Sequence, residues 1–184
     1  MRQVFQFKIT LLDSNPAIWR RIQISDLCTF WSLHVAIQDA MGWEDYHLHD
    51  FKVKDPKNPE NVKGLRIGIP MDDDFEEYKL LAGWETKVSE YLNVNKTILY
   101  TYDYGDGWEH EIEFEGLFAK SPVIKYPVCL AGANACPPED VGGIGGYYEY
   151  VKAITDKNHP EYKHYLEWRG KFNPTKFDTK NKIL

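Results

Sequence analysis

Residues 108–115, WEHEIEFE, alternate without interruption between a large ring or apolar side chain and a glutamate. Successive side chains of a β-strand point to opposite faces, so this period of two demands a sheet with one face buried and one wet. The preceding TILYTYDYGDG, residues 97–107, alternates in the same way and breaks at two glycines, which makes the pair a β-hairpin. Two registers fit. A two-residue turn at Asp106 and Gly107 would set Asp103 opposite His110, a carboxylate facing an imidazole. A three-residue loop of Gly105, Asp106 and Gly107, with Gly107 at positive φ, pairs Tyr104 with Trp108, Tyr102 with His110, Tyr100 with Ile112 and Ile98 with Phe114. The second register is the one expected, because it joins apolar to apolar. It also turns Glu109, Glu111, Glu113 and Glu115 outward, where they guard the sheet from aggregation. His110 on the aromatic face, and Asp103 and Asp106 at the tip, are left without a structural duty.

Alternation also opens the chain. Phe5, Phe7, Ile9 and Leu11 recur with period two, DSNP interrupts, and AIWRRIQI resumes the pattern, so a first hairpin is expected. A helix follows: Thr29 can cap it, Phe30, Leu33, Ile37, Ala40 and Met41 share a face, and Gly42 stops it. YHLHDFKV and LRIGI read as strands, with the loop DPKNPENV between them. MDDDFEEYKLLAG, residues 71–83, has the acidic start and glycine stop of a helix, and a second short helix is expected around Val88 to Leu92. Residues 121–146 hold too much proline and glycine for regular structure. Helices over Tyr147 to Thr155 and Glu161 to Trp168 precede a polar, basic tail at 170–184. The expected fold is α+β: one domain over residues 1–184, with a mainly antiparallel sheet packed by several helices.

Charge and cysteine usage narrow the function. Twenty-two Lys and Arg against twenty-eight Asp and Glu leave a net charge of −6, which disfavours a nucleic-acid partner. The one basic concentration is at residues 157–184, with seven Lys or Arg against three acids, and a solvated surface accounts for it. The N-terminus lacks the apolar core of a secretion signal and no window is apolar enough to span a bilayer, so a cytoplasmic location without membrane contact is expected. Three cysteines then read as reduced thiols or metal ligands rather than a disulfide framework.

Several groups could carry chemistry. His47 and His49 in HLHDF project from one face of the expected strand, roughly 6.6 Å apart. They would share a metal, zinc above all, if His110, Asp103, Cys129 or Cys136 completed the set. The bland alternative is hydrogen-bonded histidines and small buried thiols. CPPEDVGGIGG resembles a phosphate loop only in its glycines, since it has no lysine and two acids precede them. Glu139 and Asp140 could instead bind a cation or a polar ligand, or simply sit in a turn stiffened by Pro137 and Pro138. Trp19 beside Arg20 could stack on a ligand, although a strand ending in cations is commonly plain surface. Trp108, Asp103 and Asp106 join these as binding candidates. No nucleophile elbow occurs, and no Ser–His–Asp or Cys–His set can be assigned.

The blocks PAIWRRIQI, SLHVAIQDAMGWEDYHLHDF, YTYDYGDGWEHEIEFE, CLAGANACPPEDVGGIGGYYEY and FNPTKFD, in that order, resemble the plasmid pRiA4b ORF-3-like family. That group occurs in plasmids, bacteria and archaea, and some members are labelled transposon passenger proteins. The resemblance extends over nearly the whole chain. It includes Trp19, Arg20, His34, Trp43, His47, His49, Asp103, Gly105, Asp106, Trp108, His110, Cys129, Cys136, Pro137, Pro138, Glu139, Asp140, Gly142 and Gly143. Tyr104 departs from a pattern that often has Phe. The resemblance brings no activity with it. The leading expectation is a small binding or interaction module for a small ligand or a protein, with a cleft between the 103–110 hairpin tip, the HLHDF strand and the CPPED loop. A metal-dependent hydrolase using a His/Asp/Cys cluster is the alternative, and a nucleic-acid-associated accessory protein of mobile elements comes third.

Overall fold

A computed structural model describes residues 2–61, 63–71 and 80–178. Eight strands form one sheet: β1 (Gln3–Leu11), β2 (Trp19–Ser25), β3 (His49–Val53), β4 (Leu65–Gly68), β5 (Leu80–Ala82), β6 (Thr97–Tyr102), β7 (Trp108–Ala119) and β8 (Val128–Ala133). Their spatial order is β5-β4-β3-β6-β7-β1-β2-β8. Only the short β4–β5 edge pair is parallel, so the fold is α+β with a mainly antiparallel sheet. Inward residues of every central strand join one core, including Phe7, Ile9, Ile22, Phe51, Tyr100, Trp108 and Ile112.

Helix α1 (Phe30–Met41) packs on that inner face. Its ends are as the sequence requires. Thr29 accepts the Ser32 N–H, and Gly42, at φ 95°, returns its own N–H to Gln38 O at 2.7 Å. Phe30 drives its ring edge onto Phe51 and Tyr91, at 5.0 and 5.6 Å between centroids. Helices α2 (Gly143–Thr155) and α3 (Tyr162–Arg169) pack on each other through Tyr150 and Tyr165, 5.1 Å apart.

The central hairpin keeps its expected faces but not its expected register. Tyr102 pairs with Trp108, Tyr100 with His110 and Ile98 with Ile112, so residues 103–107 all belong to the turn. Asp103 causes this. It adopts the left-handed conformation at φ 55°, its carboxylate takes the Gly105 N–H at 2.9 Å, and its carbonyl takes the Gly107 N–H at 2.6 Å. A slip of two residues leaves every side chain on the same face, so the alternation of buried and exposed residues is unchanged. Gly107 does have positive φ, at 66°. Glu109, Glu111 and Glu113 are exposed, while Glu115 is gripped by both Nε and Nη2 of Arg21 at 2.7 and 2.6 Å.

Other expectations need correction. The strand expected over residues 46–53 begins only at His49, so His47 lies in the loop before it. Of the helix expected over 71–83, residues 72–79 lie outside the described residues, and Leu80–Ala82 form β5. The second short helix is a 3-10 turn at Val88–Glu90. Residues 121–146 are not wholly irregular, because Val128–Ala133 pair with β2. Helix α2 starts at Gly143 rather than near Tyr147. Gly146 lies so close to the Val141 carbonyl that no Cβ fits, and Gly143 sits on the Asp106 carbonyl, where a Cβ would come within 2.3 Å. Finally, the described part of the expected polar tail is a strap: Phe172 and Phe177 pack against the core, and the Ala135 N–H donates to Pro174 O at 2.8 Å.

Candidate functional site

Three loops meet above one end of the sheet: residues 43–48 after α1, the hairpin tip at 103–107, and residues 134–142. Glu139 ties them together. Its Oε1 accepts the Tyr102 hydroxyl proton at 2.5 Å and its Oε2 accepts the Glu44 N–H at 2.9 Å. The Tyr102 oxygen also accepts the Tyr46 N–H, and Trp43 Nε1 donates to Pro137 O at 3.0 Å. Burial and the neighbouring Glu139 carboxylate raise the Tyr102 pKa, which keeps the hydroxyl a donor. Asp106 closes the third side by accepting the Gly142 N–H at 3.1 Å.

The candidate ligands fall into separate places. At the rim, His47 Nε2 lies 3.1 Å from Asp140 Oδ1 and 3.7 Å from Asp103 Oδ2. Asp103 is mostly buried and Asp140 is exposed, and both occupy the left-handed conformation that Asp tolerates better than most side chains. These three are one of two sets of ligand atoms close enough to share an ion among the described residues.

His49 belongs to the other set, with His34 and Asp45. Its ring lies on that of His34 at 3.4 Å between centroids and 7° between planes. Metal–imidazole bonds lie in the ring plane, and one ion cannot lie in two parallel planes that far apart, so this stack does not share a metal as it stands. It is better described as a buried relay. Gln38 Nε2 donates to the Tyr100 oxygen at 2.9 Å, the Tyr100 hydroxyl donates to His34 Nδ1 at 2.8 Å, and His34 Nε2–H donates to Asp45 Oδ1 at 2.8 Å. That assignment gives each proton one acceptor. Burial holds His34 and His49 down to about 3, so both are neutral, and it raises the Asp45 carboxyl. Neither nitrogen of His49 has a hydrogen-bond partner among the described residues.

His110 joins neither set. It is fully buried, edge-on to Trp43 at 5.4 Å, and pushed down to about 4 by burial. Trp108 is likewise core, 5.8 Å from Trp43. Cys129 is buried in β8, and Cys136 lines a cavity away from the histidines.

Alternation on β2 separates the remaining candidates. Trp19 faces outward with Lys8 and Arg21 over its ring, at 5.8 and 5.3 Å. Arg20 points inward and lines a cavity of about 400 Å³. The walls of this cavity include Trp43, Cys136, Glu139, Tyr150, Arg169 and Phe177. Sequence reasoning missed Asp45, Tyr150 and the strap, and gave His34 no part in a site beyond its place in the family pattern. The block FNPTKFD, with two aromatics in a polar stretch, was the available signal for the strap.

A mainly antiparallel eight-stranded sheet with one helix across it, and a cavity lined by Arg20, Trp43 and Glu139, define a small α+β protein. The chain belongs to the plasmid pRiA4b ORF-3-like family, whose description matches residues 3–181. It is similar to the Sinorhizobium fredii uncharacterized protein y4hQ, 34% identical over 170 residues, which are 91% of this chain and 81% of the relative. It is also similar to the crystal structure of the protein of unknown function MM3350 from Methanosarcina mazei Go1. That match has a TM-score of 0.87 and 38% identity, and it covers 100% of this chain and 99% of the other. No helix among the described residues is long and apolar enough to cross a membrane.

Proposed function

We propose that this chain is a binding module for a small ligand, and that its site is the cavity between the C-terminal end of α1, the 134–140 loop and the C-terminal strap. The observation that carries the reading is Glu139. One carboxylate, nearly buried, fixes Tyr102 and Glu44 from two other segments and so holds the cavity wall in place before any ligand arrives. Such preorganisation lowers the cost of binding. Aromatic faces from Trp43, Phe172 and Phe177 beside a few charged groups supply the usual mixture of shape and orientation. A fragment screen by thermal shift and saturation-transfer NMR tests this, with Ala135→Trp, which fills the recess, as the control. Fragments that bind the wild type and not the filled variant are expected. Hits indifferent to the variant, or no hits at all, would sink the reading.

A second reading rests on His47, Asp103 and Asp140, which arrive from three loops with ligand atoms within 4.8 Å of one another. One imidazole and two carboxylates suit zinc or manganese, and such an ion could activate water for hydrolysis. Elemental mass spectrometry of protein prepared without chelator should find about one metal per chain in the wild type and little in Asp103→Asn. Equal content in both would discard it.

A further inference from the structure

Arg20 is 2% exposed, and among the described residues only Asp50, which is paired with Arg66, is as deeply buried a charged side chain. Its guanidinium has five N–H groups. Nε donates to Ala40 O at 3.0 Å, and Nη1 to Trp19 O at 2.8 Å and Ala133 O at 3.0 Å. Among the described residues no group accepts from Nη2 and no carboxylate pairs with the guanidinium. Burial opposes its charge, and the sulfurs of Cys136 and Cys129 would favour it only as thiolates. Carbonyls accept protons but bring no counter-charge, and a buried cation without one is costly. Arginine cannot escape by giving up its proton.

The same cavity has a second unspent donor in its wall. Tyr150 is fully buried, and its hydroxyl has no hydrogen-bond partner among the described residues. Arg169 and Lys176 add positive charge to the lining. Of the acids there, Glu139 is committed to Tyr102 and Glu44, and Glu44 and Asp178 are exposed. Phe177 covers the guanidinium at 4.1 Å and lies so tightly on Gly132 that a Cβ there would come within 2.6 Å of its ring.

Resting on the binding-module reading, we propose that the cavity recognises a small organic anion. A singly charged carboxylate would accept a hydrogen bond from Arg20 Nη2 and supply the missing counter-charge, with its apolar or aromatic body against Trp43, Phe172 and Phe177. A carboxylate fits better than a phosphate dianion because one guanidinium nitrogen is free and the cavity also holds acidic groups.

The test compares benzoate, phenyl phosphate and the neutral isostere benzamide at constant ionic strength, by calorimetry and thermal shift. Benzoate should bind the wild type, with phenyl phosphate weaker and benzamide weaker still, and Arg20→Met should lose roughly tenfold or more in benzoate affinity. Should Arg20→Met fold poorly, ¹⁵N-arginine side-chain spectra of the wild type give the same answer, because the Arg20 Nη signals should shift with benzoate and not with benzamide. Benzamide binding as well as benzoate, or phenyl phosphate binding best, overturns the carboxylate assignment while leaving a binding cavity. Benzoate binding only after Cys136→Ser would make a Cys136 thiolate the counter-charge and overturn the proposal. Silence from all three probes in every variant counts against both the anion site and the binding module.

Discussion

On one side of the inner face, His34 and His49 stack in the core beside Tyr100. On the other, Arg20 reaches inward from β2. Both places bury groups able to carry charge, yet they resolve the cost in opposite ways. The histidines give up the proton and become polar aromatics that fill space, and His34 passes one hydrogen-bond chain outward to Asp45. Arg20 keeps its charge, spends three N–H groups on backbone carbonyls and faces a cavity with what remains. A buried group that can neutralise itself needs no ligand, whereas one that cannot marks the place where an external anion would be stabilised.

If that contrast is right, acid should damage the histidine side first. His34, His49 and His110 are held down to about 3, 3 and 4 from an ordinary value of 6.5, so below that value the unfolded chain takes up protons that the folded chain refuses. Stability is therefore full above pH 6.5 and falls as pH drops toward the folded values, by roughly 2 kcal/mol per histidine at about pH 5. Urea midpoints across this range should show it, and flat midpoints would mean that the rings are solvated or charged. Next in size, Tyr102→Phe removes the hydroxyl shared by Glu139 and the Tyr46 amide, and should cost about 1–3 kcal/mol by chemical denaturation. A neutral result would remove Glu139 as the clamp on the cavity wall. The smallest effect distinguishes the stack from a ligand site. His49→Phe replaces two unpartnered nitrogens with carbon and should be neutral or stabilising by up to about 1 kcal/mol, with a shallower pH dependence. A large loss of stability would show that His49 has a polar role after all.

Much of the candidate site was legible as residue types. Arg20, Glu139, Asp103, Asp140 and His47 are all candidates on residue type, and the segments of the expected cleft touch at the rim through His47, Asp103 and Asp140, whereas the cavity that Arg20 lines lies between α1, the 134–140 loop and the strap. Their grouping was not legible. His47 and His49 were paired because two residues apart on a strand means one face, but β3 starts only at His49. The loop sends His47 to the rim and the strand sends His49 to the core. Glycines 105 and 107 suggested a short turn, whereas the Asp103 side chain and its left-handed backbone lengthened it. The basic tail concealed Phe172 and Phe177, which gain meaning only from the groove they cover.

Contiguous residues determined what contiguous interactions enforce: the period of two on β6 and β7, the Thr29 and Gly42 ends of α1, and the inward face of β2 that carries Arg20. Folding decided which distant groups share a place, because the decisive contacts join residues far apart in sequence: Tyr102 to Glu139, Trp43 to Pro137, and Arg20 to Ala133 and Phe177. No local pattern specifies that a guanidinium will find carbonyls and an aromatic ring but, among the described residues, no carboxylate. That follows from the packing of β8, the strap and α1 around it.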